Sequence, residues 1–175
     1  MAKLFKDKII KEKLEKFEIP EFEKKLDIVK KWHDLYYDGT LKKQNETQCE
    51  QAFNKDIFQD VLDYKDFTNK EHTLKVKESV DTSGQKPDAT LGFFSEDIEK
   101  VKAVCEIKDA NTPLDRSQKR EGNLTPIAQA FKYQPQLKEC PFVIATNLKE
   151  IGLLKEEKIG LHKIFYSKEF IDLLS

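Results

Sequence analysis

The chain is expected to fold as an α/β domain, a mixed β-sheet core flanked by helices and preceded by an N-terminal helical segment. Three observations carry that expectation. Runs of strand character recur near residues 73–80, 87–94 and 101–108, close enough in sequence to form a meander. A capped helix beginning at Thr125 is followed by a short continuous apolar run, 142–146, which is the pattern of a crossover into a buried parallel strand. Helical spacing of apolar residues dominates the first third of the chain. The 175 residues favour one compact domain with a substantial core, read as a helical segment over 1–42 and the sheet core over 43–175.

In chain order, residues 3–38 read as two helices. Leu4, Phe5, Ile9, Ile10, Leu14 and Phe17 lie at helical spacing, and Ile19-Pro20 ends the run because a residue before proline is pushed out of the α region. Phe22, Leu26, Val29, Trp32, Leu35 and Tyr36 mark the second helix, which Gly39 is placed to stop. Trp32 is expected in the core. A third helix starts at Asn45, with Gln48 three residues on as in a capping box, and carries a stripe of Cys49, Ala52, Phe53, Ile57, Phe58, Val61 and Leu62. After the three strands, Thr125-Pro126 forms an N-cap followed by proline at the first helical position. Phe142-Val-Ile-Ala-Thr146 is the buried strand, 148–154 and 161–165 a final strand pair, and Ser167 opens a short helix.

Net charge is −1 with 36% charged residues, so there is no global cationic signal for nucleic acid and any contact with DNA must come from local patches. Cys49, Cys105 and Cys140 show no paired metal spacing and are odd in number, which argues against a disulfide framework. His33, His72 and His162 lie far apart, so zinc is not expected. With no apolar leader and no run long enough to span a membrane, a cytoplasmic protein is expected, with no membrane partner.

The chemistry concentrates between Lys86 and Tyr133. In Val101-Lys-Ala-Val-Cys-Glu-Ile-Lys108 the apolar positions 101, 103, 105 and 107 alternate, placing Glu106 and Lys108 together on the opposite face, with Cα atoms roughly 6–7 Å apart. Antiparallel pairing of the 87–94 run would bring Asp88 to the same spot. Two carboxylates suit a hard cation such as Mg²⁺, with Mn²⁺ as a substitute, and a lysine beside them can orient water or offset phosphate charge. After Lys108 a polar segment to Leu124 clusters Arg116, Lys119 and Arg120. Either it brings them to DNA phosphates or it is a mobile surface loop.

Pro87-Asp88, Glu106-x-Lys108 and Gln129-x-x-x-Tyr133 together resemble the PD-(D/E)xK nuclease superfamily, in its RecB-like branch with the Q-x-x-x-Y motif. The nearest likeness is to the nuclease domain that opens single-chain (type IIG) restriction–modification enzymes and type I restriction motor subunits. The resemblance implies a restriction-endonuclease-like core, a Mg²⁺-dependent deoxyribonuclease activity, Asp88 and Glu106 as metal ligands, and Lys108 as the group acting on the attacking water. It implies an assisting acid on the helix before the sheet, carried onto Glu46 with Glu50 as the substitute. It also places Gln129 and Tyr133 beside the metal and against the DNA. Asn45-Glu46 with Leu62-Asp63-Tyr64 is similar to the family's Asn-Glu helix ending in a Gly-Trp or Gly-Tyr pair, except that Asp63 stands where glycine is usual. The sequence has neither an Asn-Pro-Pro-Tyr signature nor a glycine-rich cofactor loop, so the resemblance covers only the nuclease part of a combined enzyme. Either a methyltransferase or target-recognition region in a longer chain or a partner subunit supplies the rest, or the chain is a stand-alone small nuclease. The alternative is a non-catalytic DNA- or protein-binding module on the same fold.

Overall fold

The computed structural model of the chain describes residues 7–77, 86–119, 122–155 and 162–165. Its centre is a six-stranded mixed sheet, β1 (His72–Val76), β2 (Ala89–Phe94), β3 (Glu99–Ile107), β4 (Phe142–Thr146), β5 (Glu150–Leu154) and β6 (His162–Phe165), in sequence order across the sheet. All neighbours are antiparallel except β3 and β4, which run parallel from Ala103↔Phe142 to Ile107↔Thr146. A parallel pair needs a crossover, and the chain supplies it with α4 (Pro126–Tyr133). Thr125 caps that helix as expected, its hydroxyl accepting from Ala128 N–H at 3.0 Å.

Helices α1 (Asp7–Leu14), α2 (Phe22–Tyr37) and α3 (Glu46–Phe53) precede the sheet. Trp32 and Phe53 pack edge to face at 5.6 Å, and with Leu41, Cys49, Ile57 and Phe58 they bury one face of the sheet, on Leu74, Ala89, Leu91, Ala103, Cys105 and Ile107. Trp32 is indeed core, and its indole N–H donates to Asp56 at 2.9 Å. On the other face, Ala130 and Tyr133 of α4 cover Phe94, Val101, Val104, Val143 and Leu154. Burial on both faces explains why the centre of β3 is apolar almost throughout. Among the described residues no helix is long and apolar enough to cross a membrane.

Three local readings change. Val101 does not share a face with Ala103, Cys105 and Ile107. The pairing jumps from Leu91↔Ala103 to Gly92↔Val101, leaving Lys102 as the extra residue of a β-bulge, and Val101 therefore joins Val104 on the α4 side. The third helix is not α-helical to Leu62. From Asn54 to Val61 it widens to a π-helix, with Leu62 N–H donating to the Ile57 carbonyl at 3.0 Å. At about 100° per residue an α-helix would set Phe58 roughly 140° round from Phe53. The wider turn brings both against the sheet, while Ala52 and Leu62 are left exposed. Finally, the described apolar side chains of the first helical run, Ile9, Leu14 and Phe17, and Ile19 after it, are all exposed.

The helix ends follow their chemistry. Asn45 Oδ1 accepts from Gln48 N–H at 2.8 Å, and Gly39 ends α2 with φ +81°. Asp63 adopts a left-handed backbone, with φ 61°, a conformation aspartate tolerates better than most residues. Its carboxylate pairs with the buried Lys25. The strand anticipated over 73–80 ends at Val76, with Lys77 at φ 51°; its remainder beyond Lys77 and the anticipated helix after Ser167 fall outside the described residues.

The bulge depends on Gly92. A Cβ there would stand 2.2 Å from the Lys100 carbonyl oxygen, a backbone atom that cannot swing aside. Gly92→Ala is expected to lower stability in urea unfolding by about 2 kcal/mol or more. An unchanged midpoint would mean that β2 and β3 can re-pair without the bulge.

Candidate active site

Four of the residues singled out from the sequence, Glu46, Asp88, Glu106 and Lys108, meet at the C-terminal end of β3. Ala89 pairs with Cys105, so one step further along the register Asp88 lies opposite Glu106. Asp88 is locked there by backbone: its N–H donates to the Cys105 carbonyl at 3.1 Å, and its Oδ2 accepts from Ile107 N–H at 2.7 Å. Glu106 is 2% exposed and sits on the α4 side of the sheet. Lys108, one residue past the strand, is held by a bond from its N–H to the Thr146 carbonyl at 2.8 Å. Its ammonium lies 2.7 Å from Glu106 Oε1 and 3.2 Å from Glu46 Oε1. Because Lys108 has passed the edge of the sheet, it can meet an acid from α3 as well as one from β3.

Electrostatics follow from burial. Glu106 is pushed up to about 8 by loss of solvent and by the neighbouring Asp88 charge, with Lys108 acting in opposition. Asp88 rises to about 6, again chiefly through burial, although the Ile107 N–H favours its ionised form. Burial alone would lower Lys108, but the Glu106 and Glu46 carboxylates outweigh it and keep the ammonium charged. Tyr133, buried at the end of α4, has its hydroxyl raised by burial and by the Glu106 charge. Gln129, one turn before it, acts in opposition and lowers it, and its own Oε1 is buried without a partner.

Glu46 and Glu50 both reach this region, with different partners. Glu46 stands on the rim against Lys108, whereas Glu50 is 3% exposed and its Oε2 pairs with Lys77 Nζ at 2.7 Å. Lys77 was not anticipated. Its N–H donates to the Asp88 carbonyl at 3.2 Å, its φ is 51°, and the Glu50 hydrogen bond raises its ammonium against the opposing effect of burial. No sequence signal marks it, since the pairing joins α3 to the end of β1 across the fold. Arg116 and Lys119 are exposed on the loop after Lys108, and no hydrogen bond or ion pair ties them to the site among the described residues; Arg120 lies outside those residues. The first half of that loop is anchored. Leu114 is buried, Asn111 Nδ2 donates to the Lys42 carbonyl at 2.9 Å, and Asn147 Nδ2 donates to the Thr112 carbonyl at 2.9 Å.

Cys49, Cys105 and Cys140 are free and buried, and the Cys105 thiol is pushed well up by burial, so none is placed to act as a nucleophile. The described residues gather no metal-holding group of three or more His, Cys, Asp and Glu side chains. What the site offers is a facing pair of carboxylates, an acid on the rim and a paired lysine. Fold and site together define an α/β domain with a buried acid–acid–lysine centre at the open end of a mixed sheet. No protein-family model matches the chain, and neither does any curated protein or solved structure.

The raised carboxyls give a pH signature. Both groups bind protons more tightly in the folded chain than in the unfolded one. Their contribution is therefore fully present below the unfolded values, 3.8 and 4.5, and is lost as pH rises through about 6 for Asp88 and about 8 for Glu106. In EDTA, the melting temperature is expected to fall by several degrees between pH 5 and pH 8, and Glu106→Gln should level the profile above pH 6. A wild-type profile that rises over this interval would show that the two acids are not held at a cost.

Proposed function

We propose that this domain is a Mg²⁺-dependent endonuclease that hydrolyses DNA phosphodiester bonds, the cleavage domain of a restriction–modification system. One observation carries the reading. Residues that resemble the PD-(D/E)xK pattern, scattered from Glu46 to Tyr133, come together, with Asp88 facing Glu106 and Lys108 Nζ 2.7 Å from Glu106.

The donor set fits a hard divalent cation. Asp88 and Glu106 are oxygen ligands held near one another with raised proton affinity, the state expected of acids whose charge a cation would offset. Mg²⁺ commonly takes only one or two protein carboxylates and keeps several waters. Bound there, it would lower the pKa of a coordinated water and offset charge on the phosphate. The chain's own groups do the rest. Lys108 presents an ammonium that Glu106 and Glu46 keep protonated, able to orient the attacking water or to stabilise charge developing on phosphate oxygens. Glu46 steers that ammonium from the rim. Tyr133 and the unpartnered amide oxygen of Gln129 line the α4 side, where they shape the approach of the strand. Sequence recognition would belong to regions outside this domain.

The rival reading, a non-catalytic DNA- or protein-binding module, is favoured by one feature. Lys108 and Glu106 are both buried and neutralise each other, as a structural ion pair would. Cleavage assays separate the two. Nicking of supercoiled plasmid is expected with Mg²⁺ or Mn²⁺ and should vanish in excess EDTA, in Asp88→Asn and in Glu106→Gln. Lys108→Ala should lower the rate about a hundredfold or more. It should also cost on the order of 3 kcal/mol of stability, because it strands Glu106 without its partner. Calorimetry should show Mn²⁺ binding lost in Asp88→Asn and kept in Lys108→Ala. Cleavage persisting in EDTA would sink the mechanism; binding of DNA without cleavage, indifferent to Mn²⁺, is the result the rival requires.

A further inference from the structure

Several lysines near the sheet have a carboxylate partner: Lys31 pairs with Asp56, Lys55 with Asp60, Lys75 with Glu99 and Lys77 with Glu50. Among those that make no such pair in the described residues, two share one aromatic ring. Lys42 Nζ stands 5.4 Å and Lys149 Nζ 5.7 Å from the centroid of the same ring, Tyr36. Lys43 follows Lys42 in the short 3-10 turn Leu41–Lys43. All three lysines are exposed. The nearest preceding acid, Asp38, turns its Oδ1 to Thr40 N–H at 2.7 Å. The ring face offers each ammonium only a modest attraction; Lys43 feels the exposed Asp38, but neither Lys42 nor Lys149 makes an ion pair among the described residues, an arrangement that an external anion relieves.

The three are also placed on rigid backbone tied to the catalytic strand. The Lys42 carbonyl accepts from Asn111, three residues after Lys108, at 2.9 Å. Asn147 Oδ1 accepts from Lys149 N–H at 3.3 Å and Glu150 N–H at 3.0 Å, while its Nδ2 grips the Thr112 carbonyl. Between them Leu148 holds φ 66° with its side chain fully buried, so the turn presenting Lys149 is fixed. Lys43 is three residues from Glu46, and Lys149 is three residues from Thr146. Both Glu46 and Thr146 touch Lys108, at 3.2 and 2.8 Å. Three residues of chain span at most about 11 Å. Phosphates of one DNA strand recur every 3.4 Å or so along the helix axis. The lysines thus stand within a few phosphates of the catalytic lysine.

We propose that Lys42 and Lys149, which share the Tyr36 ring, together with Lys43 beside Lys42 in the chain, form the surface on which the phosphate backbone of duplex DNA rests beside the cleavage site. This deepens the nuclease reading and rests on it. It moves the main electrostatic contact away from the loop cations Arg116 and Lys119, which nothing anchors toward the site. Contacts of this kind position DNA without reading its sequence, as suits a cleavage domain whose target recognition lies elsewhere.

The test is the salt dependence of binding to a labelled random-sequence duplex, followed by fluorescence anisotropy in EDTA so that no cleavage occurs. Each phosphate contact contributes about 0.9 to the slope of log K against log salt. The triple variant K42Q/K43Q/K149Q is expected to reduce the wild-type slope by about 2–3 and to weaken binding tenfold or more near physiological salt. Its melting temperature should stay at the wild-type value, since all three side chains are exposed. With Mg²⁺ its kcat should be retained while KM rises. A triple variant that binds with the wild-type slope overturns the proposal, as does a comparison variant R116Q/K119Q that carries the whole loss. If the wild type cleaves DNA and the triple variant binds normally, only this surface is refuted. If the wild type neither binds nor cleaves duplex DNA, the nuclease reading falls with it.

Discussion

The pairing of β2 with β3 is the constraint on which the rest of the structure depends. Side chains alternate along a strand, so a one-residue slip would turn Glu106 to the helical α2–α3 face and replace it beside Asp88 with an apolar neighbour. The register is defended at both ends. At one end Asp88 is clamped by its own N–H on the Cys105 carbonyl and by the Ile107 N–H on its carboxylate. At the other, the bulge at Lys102 opposite Gly92 absorbs an extra residue and moves Val101 onto the α4 side. Without that correction Val101 would be set against the α2–α3 layer, and the outer end of β3 would lack a contact with Phe94 and its neighbours.

The single parallel contact in the sheet has a comparable role for Lys108. β4 lies beside β3 in parallel because α4 carries the chain back over the sheet, and this puts the Thr146 carbonyl within reach of Lys108 N–H. The same crossover delivers Tyr133 to the face that holds Glu106. The anchored half of the loop after Lys108 is a product of this geometry, since Asn111 and Asn147 bind carbonyls contributed by distant parts of the chain. Polar side chains bonded to backbone therefore set the rim of the site, and apolar packing sets its floor.

The electrostatic character of the site comes from enclosure. A carboxylate at a strand end in water would keep its ordinary proton affinity, but Glu106 at 2% exposure beside Asp88 has it raised, against the pull of Lys108. Lys108 and Lys77 answer from two directions, each paired with an acid of α3 at 3.2 and 2.7 Å respectively. Glu46 and Glu50 looked like alternatives for one role because they lie one helical turn apart. In space they serve two separate lysines.

Much of this was legible in the sequence. Period-2 alternation, caps at Asn45 and Thr125, the stop at Gly39 and the apolar run 142–146 identify the elements, because each is a local preference of the backbone that neighbouring residues express. Asp88, Glu106 and Lys108 could be brought together on paper for the same reason: a hairpin and a strand period relate them. What local rules could not reach was decided by packing. The bulge at Lys102 exists because Gly92 admits a close backbone approach, the π-helix because Phe53 and Phe58 must both meet the sheet. Ile9 and Leu14 of α1 are exposed despite their helical periodicity. Lys77, and the gathering of Lys42 and Lys149 on Tyr36, join residues far apart in sequence through contacts that only the folded layers create. A strand or a cap is determined by its neighbours in the chain, whereas a charge pair is determined by its neighbours in space.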